Sequence, residues 1–179
     1  MARRRYRRYR RARGKWAANI QRISGSGTVS ANSPFVDYVT IAQNPEQEDT
    51  AVSQIFRVKN IEIACQLESA YPQIENIEYY IMYVPEGYPL PEDRSLPIKH
   101  PEWIMAYKFI GNGTNSFGST SSSPYVSNEN AQVPKVKTRL TRKLQTGDQI
   151  VFIICGVNNS TSNSSIVYNG LLRWWTKAN

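Results

Sequence analysis

Nine of the first fifteen residues are basic (Arg3, Arg4, Arg5, Arg7, Arg8, Arg10, Arg11, Arg13 and Lys15), and none is acidic. Arginine at this density is suited to phosphate. Its guanidinium stays charged at any relevant pH and offers paired N–H donors in a planar fork. Neutralising phosphates releases condensed counterions, so binding through this run is expected to weaken steeply with salt. Tyr6 and Tyr9 interrupt the run and Trp16 follows it. These rings add stacking surfaces for unpaired bases, which suits single-stranded nucleic acid taken without choice of sequence. No ordered element here could read base edges. Repulsion among so many like charges opposes folding in isolation, so the arm is expected to be disordered or extended when free. The same run also reads as a nuclear localisation signal. It lacks the Leu, Ile and Phe face of a membrane-surface helix.

Other chemistries are poorly supplied. The chain has one histidine, His100, and two cysteines, Cys65 and Cys155. Three such residues cannot make a zinc site of four N/S ligands. A Ser-His-acid triad would have to use His100, which stands between prolines in Pro97-Ile98-Lys99-His100-Pro101. A relaxase-type site needing two or more histidine ligands is excluded. Both cysteines lie in apolar β-like runs, where Cys is a small core residue. Carboxylates such as Glu62, Glu68, Glu75 and Glu78 have no spacing that singles out a catalytic pair. No enzyme activity, cofactor or metal is therefore expected. Glu46, Glu48 and Asp49 read as a solvated loop before they read as a cation site. The longest apolar run, Ile150 to Cys155, is six residues, too short to span a membrane, and no apolar stretch of a secretory signal follows the arginines. The Asn-x-Ser/Thr matches at Asn112, Asn158, Asn159 and Asn163 are read as loop composition.

A cationic arm needs a body to hold it. Residues 16–179 carry 13 of the 22 basic residues and all 14 acidic ones, a net charge of −1. This excludes a uniformly basic surface and argues against a ribosomal protein, which rRNA surrounds. The body reads as β. Strands are expected over residues 19–23, 35–41, 55–67, 78–84, 103–110, 135–140 and 149–157, with 166–168 and 171–176 closing the chain. In the run from Ile55 to Leu67 the apolar parity switches near Asn60, which predicts a bulge or bend in one long strand. Residues 149–157 are apolar on both parities, so they form a central strand covered on both faces. About eight short strands separated by Gly, Pro, Ser and Asn argue for a sandwich or barrel. Two long connections, the proline-rich 85–101 and the Gly/Asn/Ser/Thr-rich 111–134, are expected to be functional or displayed at a surface. Thr146-Gly147-Asp148 is a turn between strands.

Two sets of body cations are candidates for further phosphate contacts. Arg57 and Lys59 share one face of a strand, and Lys135, Lys137 and Arg139 share a face of another. Trp174 and Trp175 are adjacent, so in a strand they face opposite sides. One can enter the core, and the other must meet a second surface, either a neighbouring subunit or a loop of its own chain.

An arginine-rich start, Met1-Ala2-Arg3-Arg4-Arg5-Tyr6-Arg7-Arg8-Tyr9-Arg10-Arg11, joined to a near-neutral β body resembles the capsid proteins of circular, Rep-encoding single-stranded DNA viruses, the circovirus-like group. The segment from Thr138 to Val151 (TRLTRKLQTGDQIV) and the ending Tyr168-Asn169-Gly170-Leu171-Leu172-Arg173-Trp174-Trp175 carry the resemblance further. It implies an arm over residues 1–16 and an eight-stranded antiparallel jelly-roll shell domain over 17–179, two four-stranded sheets face to face. It also implies a closed icosahedral shell of about sixty copies, arms inside on a single-stranded DNA genome and loops outside. The partners implied are other copies of the chain, that DNA, a host nuclear import receptor and a cell-surface receptor, with no membrane insertion. The locations implied are the virion and the host nucleus. The alternative is a cellular nucleic-acid-binding β-domain protein, ribosomal or RNA-associated, with a basic tail.

Overall fold

Short-period alternation of apolar and polar residues becomes strand almost wherever it occurs. The computed structural model describes residues 15–44, 56–69, 74–90, 94–111 and 133–178. Its strands are β1 (Ala17–Val29), β2 (Ser33–Gln43), β3 (Phe56–Ser69), β4 (Glu75–Val84), β5 (Ile104–Gly111), β6 (Lys135–Thr138), β7 (Arg142–Leu144), β8 (Gln149–Asn158) and β9 (Ser164–Ala178). One short helix, α1 (Ser95–Lys99), and a 3-10 turn (Pro101–Trp103) lie between β4 and β5. The arm residues Arg3 to Arg13, the acidic positions Glu46, Glu48 and Asp49, and most of the 111–134 connection fall outside the described residues.

The strands form two antiparallel sheets. One runs β1-β9-β3-β6, with β7 also paired to β3, and the other runs β2-β8-β4-β5. If β6 and β7 count as two halves of one position, each sheet has four positions. The chain passes back and forth between the sheets in jelly-roll order. The fold is thus the expected all-β sandwich, with one difference in strand count.

That difference has a local cause. Asn60 adopts a left-handed φ of 50°, and the β3–β9 register shifts between Lys59 and Glu62. This is the bulge expected from the parity switch. Val58 is buried on one side of it, and Ile61, Ile63, Cys65 and Leu67 on the other. On the opposite edge of β3 the ladder also breaks. It pairs Ile61 to Ala64 with β6 and restarts at Phe56 to Val58 with β7. The segment expected as strand 135–140 therefore ends at Thr138, whose Oγ1 accepts a hydrogen bond from Leu140 N at 3.1 Å. Arg139 falls in the break, exposed, and not in a strand with Lys135 and Lys137. At the chain's end, 166–168 and 171–176 join into one strand, because Gly170 continues the ladder opposite both Ile23 and Cys65.

The main core lies between the sheets and includes Ile63, Tyr79, Ile81, Phe152, Ile154 and Leu172. β8 is central in its sheet, and residues 151–156 are all buried. Its second face belongs to a smaller apolar cluster of Tyr80, Met82, Val84, Leu96, Val151, Ile153 and Cys155, with Leu90 and Trp103 packed against it. The proline-rich connection is therefore more than a displayed loop. It lays Leu90, α1 and the 3-10 turn over the outer face of the β2-β8-β4-β5 sheet. His100 stacks on Trp103 there with ring centroids 3.8 Å apart, and Tyr88 meets Trp103 edge-on at 4.7 Å.

The turn before β8 is built around one carboxylate. Gly147 takes a φ of +81°, which an L side chain rarely adopts. Asp148 is 5% exposed. It accepts hydrogen bonds from Gln145 N at 2.8 Å, Tyr83 Oη at 2.8 Å and Glu86 N at 3.2 Å. The turn expected at Thr146-Gly147-Asp148 thus also fastens the start of the covering segment.

Burial pushes both thiols, Cys65 and Cys155, up to about 12. In the unfolded chain they ionise near the ordinary cysteine value, about 8.5. The unfolded state therefore loses these protons first, and stability should fall as pH rises from about 9 to 12. Urea unfolding midpoints measured across that range check the slope. Below about pH 7 the thiols should contribute no pH dependence.

Candidate nucleic-acid interface

The two sheets differ in what their outer faces carry. Along β9, Ile166, Tyr168 and Leu172 are buried in the core, so Asn169, Leu171, Arg173, Trp175 and Lys177 point the other way. Register then assigns the neighbours of these residues across the β1-β9-β3-β6 sheet. Lys143 of β7, Arg57 of β3 and Lys177 of β9 lie directly opposite one another in one row. In the next row stand Lys59, Trp175 and Ala18. A third row holds Lys137, Glu62, Arg173 and Ile20, and a fourth holds Lys135, Ala64, Leu171 and Arg22.

The outer face of this sheet therefore gathers Arg22, Arg57, Lys59, Lys135, Lys137, Lys143, Arg173 and Lys177. Glu62 lies among them, and Glu68 occupies a β3 position opposite Val167 further along. Like charges directly opposite one another destabilise a sheet. Among the described residues the ion pairs are Arg94–Glu78 at 2.8 Å and His100–Glu102 at 3.2 Å, and none of these eight cations takes part. Arg57 is the most enclosed case. Its Nε is shielded from solvent and has no hydrogen-bond partner, while Lys143 and Lys177 flank it. A multivalent anion laid on this face would relieve the repulsion.

The arm joins the body at the same face. Trp16 immediately precedes β1, and Lys59 Nζ sits 4.0 Å from the centroid of its ring, a cation–π contact. Lys15, the last basic residue of the run, is exposed beside it in sequence. At the other end of the face, an open depression of about 780 Å³ is lined by Gln66, Asn169, Leu171 and Lys135, with Lys108 at its rim.

Of the sequence candidates, Arg57, Lys59, Lys135 and Lys137 come together on this face, and Arg139 lies exposed in the gap between β6 and β7. Trp174 packs against the main core, which leaves Trp175 as the indole facing outward. Arg22, Lys143, Arg173 and Lys177 were missed. The alternation Leu171-Arg173-Trp175-Lys177 was a visible signal for the last two. Arg22 and Lys143 needed the sheet order, which places β9 between β1 and β3.

The opposite sheet presents a different outer surface. Much of it is covered by Leu90, α1 and the 3-10 turn, and Tyr107 and Phe109 on its edge strand β5 are half exposed, at 50% and 53%. Among the described residues, no three His, Cys, Asp or Glu side chains come together as a metal site, and no helix is long and apolar enough to cross a membrane. Of the asparagines in glycosylation-like motifs, Asn158 is fully buried. It donates to the carbonyls of Val29, Ser30 and Ser162. No protein-family model matches the chain, and no curated protein matches it.

Proposed function

We propose that this chain is a shell-forming capsid protein that packages single-stranded DNA through its arginine-rich arm and the outer face of the β1-β9-β3-β6 sheet. The observation that carries this reading is the sidedness of charge on a jelly roll. One outer face holds the clustered cations and the root of the arm, and the other is largely covered by the protein's own proline-rich segment. A single sheet face of unpaired cations is of little use to a monomer in solution. In a closed shell it becomes an inner lining, and the arms extend from it onto the enclosed genome.

Charge arithmetic agrees with a shared role for arm and face. About sixty arms would bring about 540 positive charges. A gene for this chain alone has about as many phosphates, and a genome encoding a replication protein as well has more. The arms would neutralise only part of the packaged charge, so body residues, metal ions or polyamines must cover the rest. Under this reading the protein acts in the virion and passes through the host nucleus, where the arm would also engage an import receptor. Loops at the far side of the shell would meet a cell-surface receptor.

The deciding experiment is the assembly state of the full chain and of a form lacking residues 1–15, by electron microscopy and sedimentation. The full chain should give closed particles of uniform size with nuclease-protected nucleic acid. The truncated form should close with far less nucleic acid. A salt-independent monomer in both forms would overturn the capsid reading and favour a cellular nucleic-acid-binding protein.

A further inference from the structure

On the cationic face, one row differs from the rest. Trp175 of β9 is flanked in register by Lys59 on one side and by the small Ala18 on the other. Trp16 reaches into the same row, with its ring under the Lys59 ammonium at 4.0 Å. Trp175 has no aromatic partner among the described residues and is only half buried. The row beside it, about 7 Å along the strands, is the uncompensated triple of Lys143, Arg57 and Lys177. Two indoles thus lie next to a cluster of three cations, none of which has an ion-pair partner among the described residues.

This pairing of a flat apolar platform with a phosphate-binding group is what an unpaired nucleotide requires. Its base can stack on an indole while its phosphate meets the guanidinium. A duplex supplies the phosphates, but its bases are already stacked and cannot reach Trp16 or Trp175. We infer that Trp16 and Trp175 form a stacking site for an unpaired base whose phosphate is held by Arg57 with Lys143 and Lys177. The face would then select single strands over duplex. This rests on reading the face as a nucleic-acid surface, and it adds a discrimination that clustered charge alone cannot supply.

The test uses the full chain with three probes: a fifteen-residue oligothymidylate, a duplex of the same length, and inorganic polyphosphate. Trp16→Leu lies outside every strand and should leave the fold intact. Trp175→Leu is accompanied by its thermal midpoint. Each substitution should weaken oligothymidylate binding about tenfold, the loss of one base stack. Duplex and polyphosphate should change less than about twofold. Oligothymidylate, but not polyphosphate, should quench the tryptophan fluorescence of the unmodified chain.

Wild-type affinity for oligothymidylate in both variants overturns the stacking site. Equal losses on all three probes also overturn it, since that pattern marks a general charge or folding effect. So does a changed oligomeric state with oligothymidylate binding intact, which would make Trp175 a subunit contact. If Trp175→Leu does not fold, Trp16→Leu decides alone. Failure of the unmodified chain to bind any probe would instead remove the nucleic-acid reading of the face.

Discussion

Replacing Arg57 by Glu in the full chain should weaken DNA binding while making the body more stable. The substitution removes a charge-assisted phosphate contact, worth about 1.5 kcal/mol or tenfold in affinity, and adds a charge that repels phosphate. It should also flatten the salt dependence, since a single-strand phosphate contact contributes about 0.7 to the logarithmic slope. In the free protein the effect has the opposite sign. Lys143 and Lys177 stand directly opposite Arg57 on its two sides. Two repulsive cross-strand pairs become attractive ones, at about 0.2–1 kcal/mol each, for a gain of about 1 kcal/mol. Filter binding over a salt series and urea denaturation read the two quantities separately. An Arg57→Glu protein that lost both affinity and stability would show that Arg57 supports the fold, and the argument from uncompensated repulsion would fail.

A second substitution should cost stability and leave binding alone. Asp148→Ala removes the acceptor for Tyr83 Oη and for the backbone N–H groups of Gln145 and Glu86. With the carboxylate 5% exposed, these donors are left with little water to replace it. At about 1 kcal/mol each, the expected destabilisation is about 3 kcal/mol, or roughly 10 °C in thermal midpoint for a body of this size. Asp148→Asn keeps one oxygen acceptor and should lose about half as much. Affinity for DNA per folded molecule should be unchanged, because Asp148 lies at the turn into β8, away from the cationic face. A loss under about 1 kcal/mol for Asp148→Ala would mean that the turn and the start of the covering segment hold without it.

The contrast between these two sites parallels what could be read from the chain beforehand. The parity switch at Asn60 and the doubly apolar run at 149–157 were legible because each is a local pattern with one structural solution. The jelly-roll order was expected through the resemblance and not through any local signal, since β9 pairs with β1 and β3 from far away in sequence. That long-range order is also why Arg22 and Lys143 were missed. Arg22 is a lone basic residue in its own stretch and becomes part of a cluster only when β9 lies beside it. Arg139 failed in the other direction. Its alternation with Lys137 was a sound local pattern, but the bulge across the ladder ended the strand one residue earlier. The covering role of the proline-rich connection was hidden because Leu90, Leu96 and Trp103 are spaced irregularly, and only an already formed sheet face gives them a common target.

The bulge at Asn60 also makes β3 a strand whose length matters more than its spelling. Before it, odd-numbered Arg57 and Lys59 face outward, and after it odd-numbered Ile61, Ile63, Cys65 and Leu67 face inward. Removing Asn60 itself would take out the extra residue and leave an unbroken alternation, with Arg57, Lys59 and Glu62 still outward and Val58, Ile61 and Ile63 still inward. Removing one residue elsewhere in β3 would instead exchange the faces of one half, sending cations into the core or isoleucines onto the charged surface. Point changes on the outward row alter only charge. Along β3, then, natural or laboratory variation should accumulate as substitutions, and the one change of length the strand can absorb is the loss of Asn60.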